Sequence, residues 1–282
     1  MPAIRELNGF VAEVTGLSSR PHTGEDAWAV RRAVRDYGVV VLRDLSPTPG
    51  EQIALTRLIG EPEPVWDILN RHPDHPQVQL ISSDGRTRAV GADLWHSDRS
   101  FQATPTRHTM LHGHHLPSDT GDTLFADMAA AYAALPPSWK GPLDGAFGLH
   151  RYDRLASLRA QAHGTDLEQR YEERFPPVLH PVVRAHPETG RAALYVNELC
   201  LDRIEDAEGR PVGISVEALH AHAAAECRVY RHRWLPGDVV IWDNALVLHR
   251  ATALAPGQRR VLHRSTTTGG RPLPAKAPVR QT

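Results

Sequence analysis

The sequence predicts an α+β, mainly β protein with a double-stranded β-helix, or jelly-roll, core and flanking helices. Three observations lead there. Short apolar or alternating runs recur between turn-forming residues from Val78 to Thr266. Two helical patterns bracket a single strand near the N-terminus. No internal repeat, low-complexity stretch or convincing linker divides the 282 residues. One domain over 1–282 is therefore expected, with a helical or loop insertion around 151–178 and a Pro-rich tail after 270.

Ala27 to Tyr37 spaces its apolar residues as a helix does, Gly38 stops it, and Val39-Val40-Val41-Leu42 reads as a buried strand. Thr48-Pro49-Gly50-Glu51 starts a second helix: Thr48 caps, Pro49 suits the first turn, and Glu51 completes a capping box. That helix should run to about Ile59 and stop at Gly60. Both helices should pack outside a sheet core. Val78 to Ile81 is a short strand, followed by a polar loop from Ser82 to Gly91. Thr109 to His114, Arg191 to Val196, Asp238 to Trp242 and Arg259 to Thr266 read as further strands. A charged helical stretch from Asp153 to Phe175 interrupts the sheet pattern.

Apolar residues make up 41% and the formal net charge is −1, an ordinary globular composition with no basic footprint for nucleic acid. Two cysteines, Cys200 and Cys227, exclude a disulfide framework and fit a reducing compartment. The first residues lack an apolar signal core, and no apolar run approaches the ~18 residues of a membrane span. A cytoplasmic location, no membrane partner and no nucleic-acid partner are expected. Seventeen histidines make any single histidine weak evidence for a ligand.

Two imidazoles and one carboxylate can occupy one face of a six-coordinate iron(II), leaving three positions for a co-substrate and O2. Trp95-His96-Ser97-Asp98, answered by His249, supplies that set. The triplet has rivals: His72-Pro73-Asp74 has the same spacing and His186-Pro187-Glu188 is a near relative. Their central prolines favour turns over sheet ladders, so both read as loops. Spacing of two along a strand puts His96 and Asp98 on one sheet face, with Trp95 packing behind. A solvent-facing polar strand end explains that triplet equally well, and a lone His249 after Leu246-Val247-Leu248 is more often a core residue. The C-terminal half breaks the tie. Along Gln258 to Arg264, alternation turns Arg260 and Arg264 to one face and Arg259 and His263 to the other. Two arginines on one strand face are costly to bury without anions. Arg260 could grip the far carboxylate of a 2-oxo acid through a bidentate fork, and an anionic substrate would serve Arg264.

With Gly121-Asp122-Thr123, Pro236-Gly237-Asp238, Trp242-Asp243-Asn244 and Leu194-Tyr195-Val196-Asn197, these residues resemble the taurine/2,4-dichlorophenoxyacetate dioxygenase family from about Asn8 to Gly269. The resemblance implies an iron(II)- and 2-oxoglutarate-dependent oxygenase. His96, Asp98 and His249 would be the iron ligands, and Thr123 with Arg260 would hold the C5 carboxylate of 2-oxoglutarate. Oxidative decarboxylation to succinate and CO2 would generate the oxidant that abstracts a substrate hydrogen. Related halogenases replace the carboxylate with a small residue so that chloride binds iron; Asp98 therefore implies hydroxylation. Arg264 matches an arginine that contacts the acidic group of the substrate. The pocket departs from the taurine type, with Trp66 and Leu69 where a histidine and a tyrosine are expected and Ala92 in place of an asparagine. Arg99 stands where the family has an apolar residue, either as a second anion contact or as an exposed side chain. The loops Val65 to His72 and Ser83 to Asp93, with the stretch from Asp153 to Phe175, would form variable walls.

The reading is an oxygenase hydroxylating a small to medium, anionic organic substrate, with a tailoring step in specialised biosynthesis favoured over catabolism. The same site could perform desaturation, epimerisation or cyclisation. A non-catalytic metal- or 2-oxo-acid-binding sensor should lose the anion anchors, which are retained here. A zinc hydrolase would leave Arg260 unexplained and lacks an evident general base. A homo-oligomer is an expectation from resemblance alone.

Overall fold

The computed structural model describes residues 1–17, 22–67, 70–83, 91–117, 119–153, 155–157, 173–226 and 229–275. In chain order the elements are β1 (Ala3–Asn8), β2 (Val11–Thr15), α1 (Gly24–Tyr37), β3 (Val39–Leu42), α2 (Pro49–Arg57), β4 (Gln79–Ser83), β5 (His108–His115) and β6 (Thr123–Asp127). Then come α3 (Met128–Ala133), α4 (Pro137–Asp144), β7 (Phe147–His150), β8 (Val178–Pro181), β9 (Val183–Ala185), β10 (Ala192–Leu194) and β11 (Leu201–Glu205). The last are α5 (Val216–Glu226), β12 (Val229–His232), β13 (Val239–Asp243), β14 (Val247–Ala251), β15 (Arg260–Thr266) and β16 (Leu273–Pro274). Strands dominate and helices are few, as expected.

Local chemistry sets the first helices. Thr23 with Asp26, and Thr48 with Glu51, close reciprocal capping boxes, satisfying amide donors that a helix start leaves open. Gly38 ends α1 at φ +98°, in the left-handed region that suits glycine.

Seven strands form the main sheet in the order β1-β2-β3-β13-β5-β15-β4, with β2 and β3 parallel and the other neighbours antiparallel. Three smaller sheets follow the orders β12-β6-β14, β11-β7-β8 and β10-β9-β16. The centre of the main sheet is buried on both faces, which explains its unbroken apolar runs. Val40, Leu42, Val239 and Ile241 meet Ala29, Val30, Ala33 and Val34 of α1 and Leu55 of α2. Val39, Val41, Val240 and Trp242 join Leu124, Phe125, Val247 and Leu248 from the facing small sheet. Each such buried valine, leucine, isoleucine or phenylalanine contributes about 1.5–3 kcal/mol. Both helices therefore lie outside the sheet core, as their sequences require.

Three expectations shift. The segment around His96 is no strand: His96 makes one isolated bridge to His249, and Asp98 sits in a turn. The strand expected over Arg191 to Val196 shortens to Ala192–Leu194. Of the helical stretch from Asp153 to Phe175, residues 154 and 158–172 lie outside the described residues, as do 84–90 of the polar loop; positions 155–157 and 173–174 are helical.

Candidate metal and co-substrate site

The site forms where β14 of the small sheet faces β5 and β15 of the main sheet. The His96 N–H donates to the His249 carbonyl at 3.1 Å, and the His249 N–H returns the bond at 2.9 Å. This reciprocal bridge ties the His96 segment to β14 and brings the two imidazole centroids within 4.1 Å. Asp98 is carried in by the turn, whose next residue, Arg99, has φ +55°. One ligand atom from each of His96, Asp98 and His249 lies within 4.8 Å of the others, an arrangement able to hold a metal ion. Among the described residues no other group of three has this convergence. The two rivals are loop turns: the His72 and His186 rings accept backbone N–H bonds from Asp74 at 3.2 Å and from Glu188 at 3.3 Å.

Supporting contacts fix the triad. His96 Nδ1 lies 2.7 Å from the Leu94 carbonyl and can only donate there, which leaves Nε2 free to ligate a metal. Asn244 accepts the Asp98 N–H at 3.0 Å through Oδ1 and donates to Thr109 Oγ1 at 3.0 Å through Nδ2; Thr109 in turn donates to Asp98 Oδ2. Neither Thr109 nor Asn244 was singled out by sequence. The Trp-Asp-Asn turn was visible, but its reach to Asp98 was not.

Electrostatics place the triad in its ligand state. Burial would raise the Asp98 carboxyl, but the Arg264 guanidinium first, then His249, His96 and the Thr109 bond, hold it well below the usual carboxylate range. Burial pushes both imidazoles down, His249 further than His96. Two neutral imidazoles and one carboxylate anion result, the donor set that suits iron(II). Arg264 Nη2 stands 2.7 Å from Asp98 Oδ1, a close ion pair without hydrogen-bond alignment, and Arg264 Nη1 donates to Gln79 Oε1 at 2.8 Å.

A cavity of about 380 Å³ opens on the triad. Its wall includes Thr123, Arg260 and Arg264, with Trp66, Ile81, Phe101 and Leu199 as apolar surface. Arg260 is buried; Nη1 donates to the Gly121 carbonyl, Nε has no partner, and no described carboxylate pairs with it. Such a cation fits an incoming carboxylate. Trp234, also missed by sequence, donates Nε1–H to Thr123 Oγ1 at 3.1 Å, leaving the threonine hydroxyl proton for another acceptor. Trp66 packs edge-on against Phe101, Tyr152 and Phe175. Of the two readings of Arg99, the exposed one is corrected: the side chain is partly buried and paired with Glu63, and burial lowers its guanidinium to about 10 despite that partner. Leu69 lies outside the described residues.

A metal-competent triad beside a buried cation, reached through one cavity between two sheets, defines an oxygenase of the 2-oxo-acid-dependent class. The sequence matches the family described as "Taurine catabolism dioxygenase TauD, TfdA family" over residues 3–266, and the chain belongs to it. It is thus an iron(II)- and 2-oxoglutarate-dependent oxygenase. Among relatives, it is 33% identical to the alpha-ketoglutarate-dependent 2,4-dichlorophenoxyacetate dioxygenase of Cupriavidus pinatubonensis, covering 92% of this chain and 94% of that one. It is 31% identical to pentalenolactone F synthase of Streptomyces arenae, over 89% and 88% of the two chains. Among solved structures, AAD-2 in complex with Mn(II) and N-oxalylglycine superimposes with a TM-score of 0.78 at 30% identity, over 96% of this chain and 99% of that one. A taurine dioxygenase from Burkholderia xenovorans gives 0.80 at 25% identity, over 100% and 95%. No described helix is long and apolar enough to cross a membrane.

Proposed function

We propose that the chain hydroxylates an unactivated C–H bond of a small to medium, anionic organic substrate, releasing succinate and CO2 from 2-oxoglutarate. The observation that carries this reading is the meeting of the triad with two arginines, Arg260 and Arg264, on one cavity. His96, Asp98 and His249 are the proposed iron ligands. When bound, the iron with 2-oxoglutarate supplies the oxygen activation that removes the substrate hydrogen. Arg260 and the Thr123 hydroxyl hold the far carboxylate of 2-oxoglutarate in the proposed arrangement, oriented by the Gly121 carbonyl and the Trp234 N–H. Arg264, between Asp98 and Gln79, receives the acidic group of the substrate. Trp66 and the apolar wall hold its body and exclude water, and Arg99, paired with Glu63, adds a charged edge to that wall.

The carboxylate in the name of the 2,4-dichlorophenoxyacetate relative supports an acidic substrate, and the likeness to a synthase supports a tailoring role. We read the main sheet and β12-β6-β14 as the two layers of a jelly-roll core in one domain. The test is mass spectrometry of a panel of organic monoacids incubated with iron(II), 2-oxoglutarate and the protein. An acid that gains one oxygen while equimolar succinate appears supports the reading, and Arg264→Ala should lose selectivity for acids over their amides. Succinate-free incubations across the panel, with metal loaded, would overturn it.

A further inference from the structure

Five of the seventeen histidines form a chain of ring contacts on the outer face of the main sheet, away from the triad. His112 on β5 stands directly opposite His263 on β15, with centroids 6.0 Å apart. His114 lies 6.2 Å from His112 and stacks on His263 at 4.5 Å and 14°. That contact depends on an irregularity. His112 pairs with His263 and Gly113 with Leu262, but Val261 pairs with His115, so His114 is an extra residue in a β-bulge. A bulge re-aims a side chain, here onto the imidazole of the neighbouring strand. His72 and His75 close the chain, with centroids 6.2 Å from His263 to His72 and 5.1 Å from His72 to His75.

His112 and His263 are buried, and the Nδ1 atom of each lacks a hydrogen-bond partner. A buried imidazole nitrogen without a partner carries a desolvation penalty that a ligand can relieve. Burial, followed by the neighbouring histidine His114, pushes both rings to about 4, so neither carries a proton that a metal must displace at neutral pH. His72 differs: its Nδ1 is taken up as acceptor of the Asp74 N–H. His112 and His114 also line a cavity of about 500 Å³ with His115 and the start of α2, which leaves a route from solvent.

We propose that His112, His114 and His263 form a second metal site, selective for nitrogen-seeking transition ions such as zinc(II), cobalt(II) or nickel(II), with its remaining position open to solvent. Zn–N bonds of about 2.1 Å at tetrahedral angles put ligand-ring centroids roughly 5 Å apart, within the span of the three separations here. Closure requires rotation of the rings, above all of exposed His114, because among the described residues only the His96 triad already has converged ligand atoms. No carboxylate contributes to the set, so hard cations such as magnesium and calcium should bind weakly.

The test is equilibrium dialysis of the full chain against cobalt(II), read by metal content and by the visible d–d spectrum. Wild type should bind two ions, and His96→Ala/His249→Ala should retain one whose band intensity marks a four-coordinate ion. Adding His114→Ala, at an exposed position that leaves the core untouched, should weaken that ion by more than the ~10–100-fold cost of losing an outer contact. His112→Asn should do the same. One ion in wild type, retention of the outer ion by both variants, or half-saturation only in the millimolar range would overturn the proposal.

Discussion

Replacing Arg260 with methionine separates co-substrate binding from folding. The side chain is 4% exposed, and burial lowers its basicity, so the cation is kept against a desolvation penalty. Its Nη1 reaches the Gly121 carbonyl while Nε has no partner. Methionine keeps an unbranched stem beside Gly121 and removes the charge, so stability without 2-oxoglutarate should fall by no more than about 1–3 kcal/mol, the cost of leaving the Gly121 carbonyl without its donor. Binding should fall further. A hydrogen bond to a charged group contributes about 1.5–3 kcal/mol, so a two-bond fork contributes about 3–6. At about 1.4 kcal/mol per tenfold, the dissociation constant for 2-oxoglutarate should rise roughly 10²–10⁴-fold. Lysine, which keeps the charge but not the fork, should fall between. Calorimetric titration of Mn(II)-loaded protein reads this directly. A methionine variant that loads metal and binds 2-oxoglutarate within threefold of wild type would refute Arg260 as the anchor.

Other expectations follow from the same contacts. Asn244→Ala removes the acceptor of the Asp98 N–H and the donor to Thr109, and should weaken Mn(II) binding ~10–100-fold in an EPR titration, with unchanged affinity contradicting that role. Gly121→Ala would set a Cβ 2.6 Å from Leu254 and 3.3 Å from Arg260 at φ +80°; we expect about 1–3 kcal/mol of destabilisation and a higher KM for 2-oxoglutarate. Acid should weaken the fold well before carboxylates titrate. His108, His112, His180 and His263 are pushed to about 4 by burial, whereas unfolded histidine titrates near ~6.5. Between those values the unfolded chain binds protons that the folded chain refuses, so stability is highest above about 6.5 and falls towards 4. The urea midpoint should therefore be lower at pH 5 than at pH 7.5, and an equal or higher midpoint would contradict this.

The candidate metal set was legible because His96 and Asp98 lie two residues apart and His249 follows an apolar run before an arginine-bearing strand. The strand expected to carry His96 and Asp98 on one face does not form. His96 and Asp98 converge through a bridge and a turn, with Asn244 and Thr109 completing the geometry, and such contacts 135–146 residues apart leave no local signal. The proline-bearing rivals form turns, as their central prolines favour, and ring nitrogens there serve backbone amides. The Arg99–Glu63 pair was hidden because Glu63 is brought to it from a distant segment, whose backbone pairs with Thr266. The β1–β2 hairpin was missed: β1 is a charged edge strand, and β2 joins β3 in parallel across a helix. The β5 bulge that stacks two histidines is likewise a matter of strand register.

The central claim is that this cavity binds 2-oxoglutarate on a metal held by His96, Asp98 and His249. Anaerobic titration of iron(II)-loaded protein with 2-oxoglutarate tests it most directly, through the weak visible charge-transfer band of a chelated 2-oxo acid. A saturable band in wild type, with half-saturation moved to much higher 2-oxoglutarate in Arg260→Ala, is the expected result. A fully loaded protein that shows no band at any concentration would contradict the account.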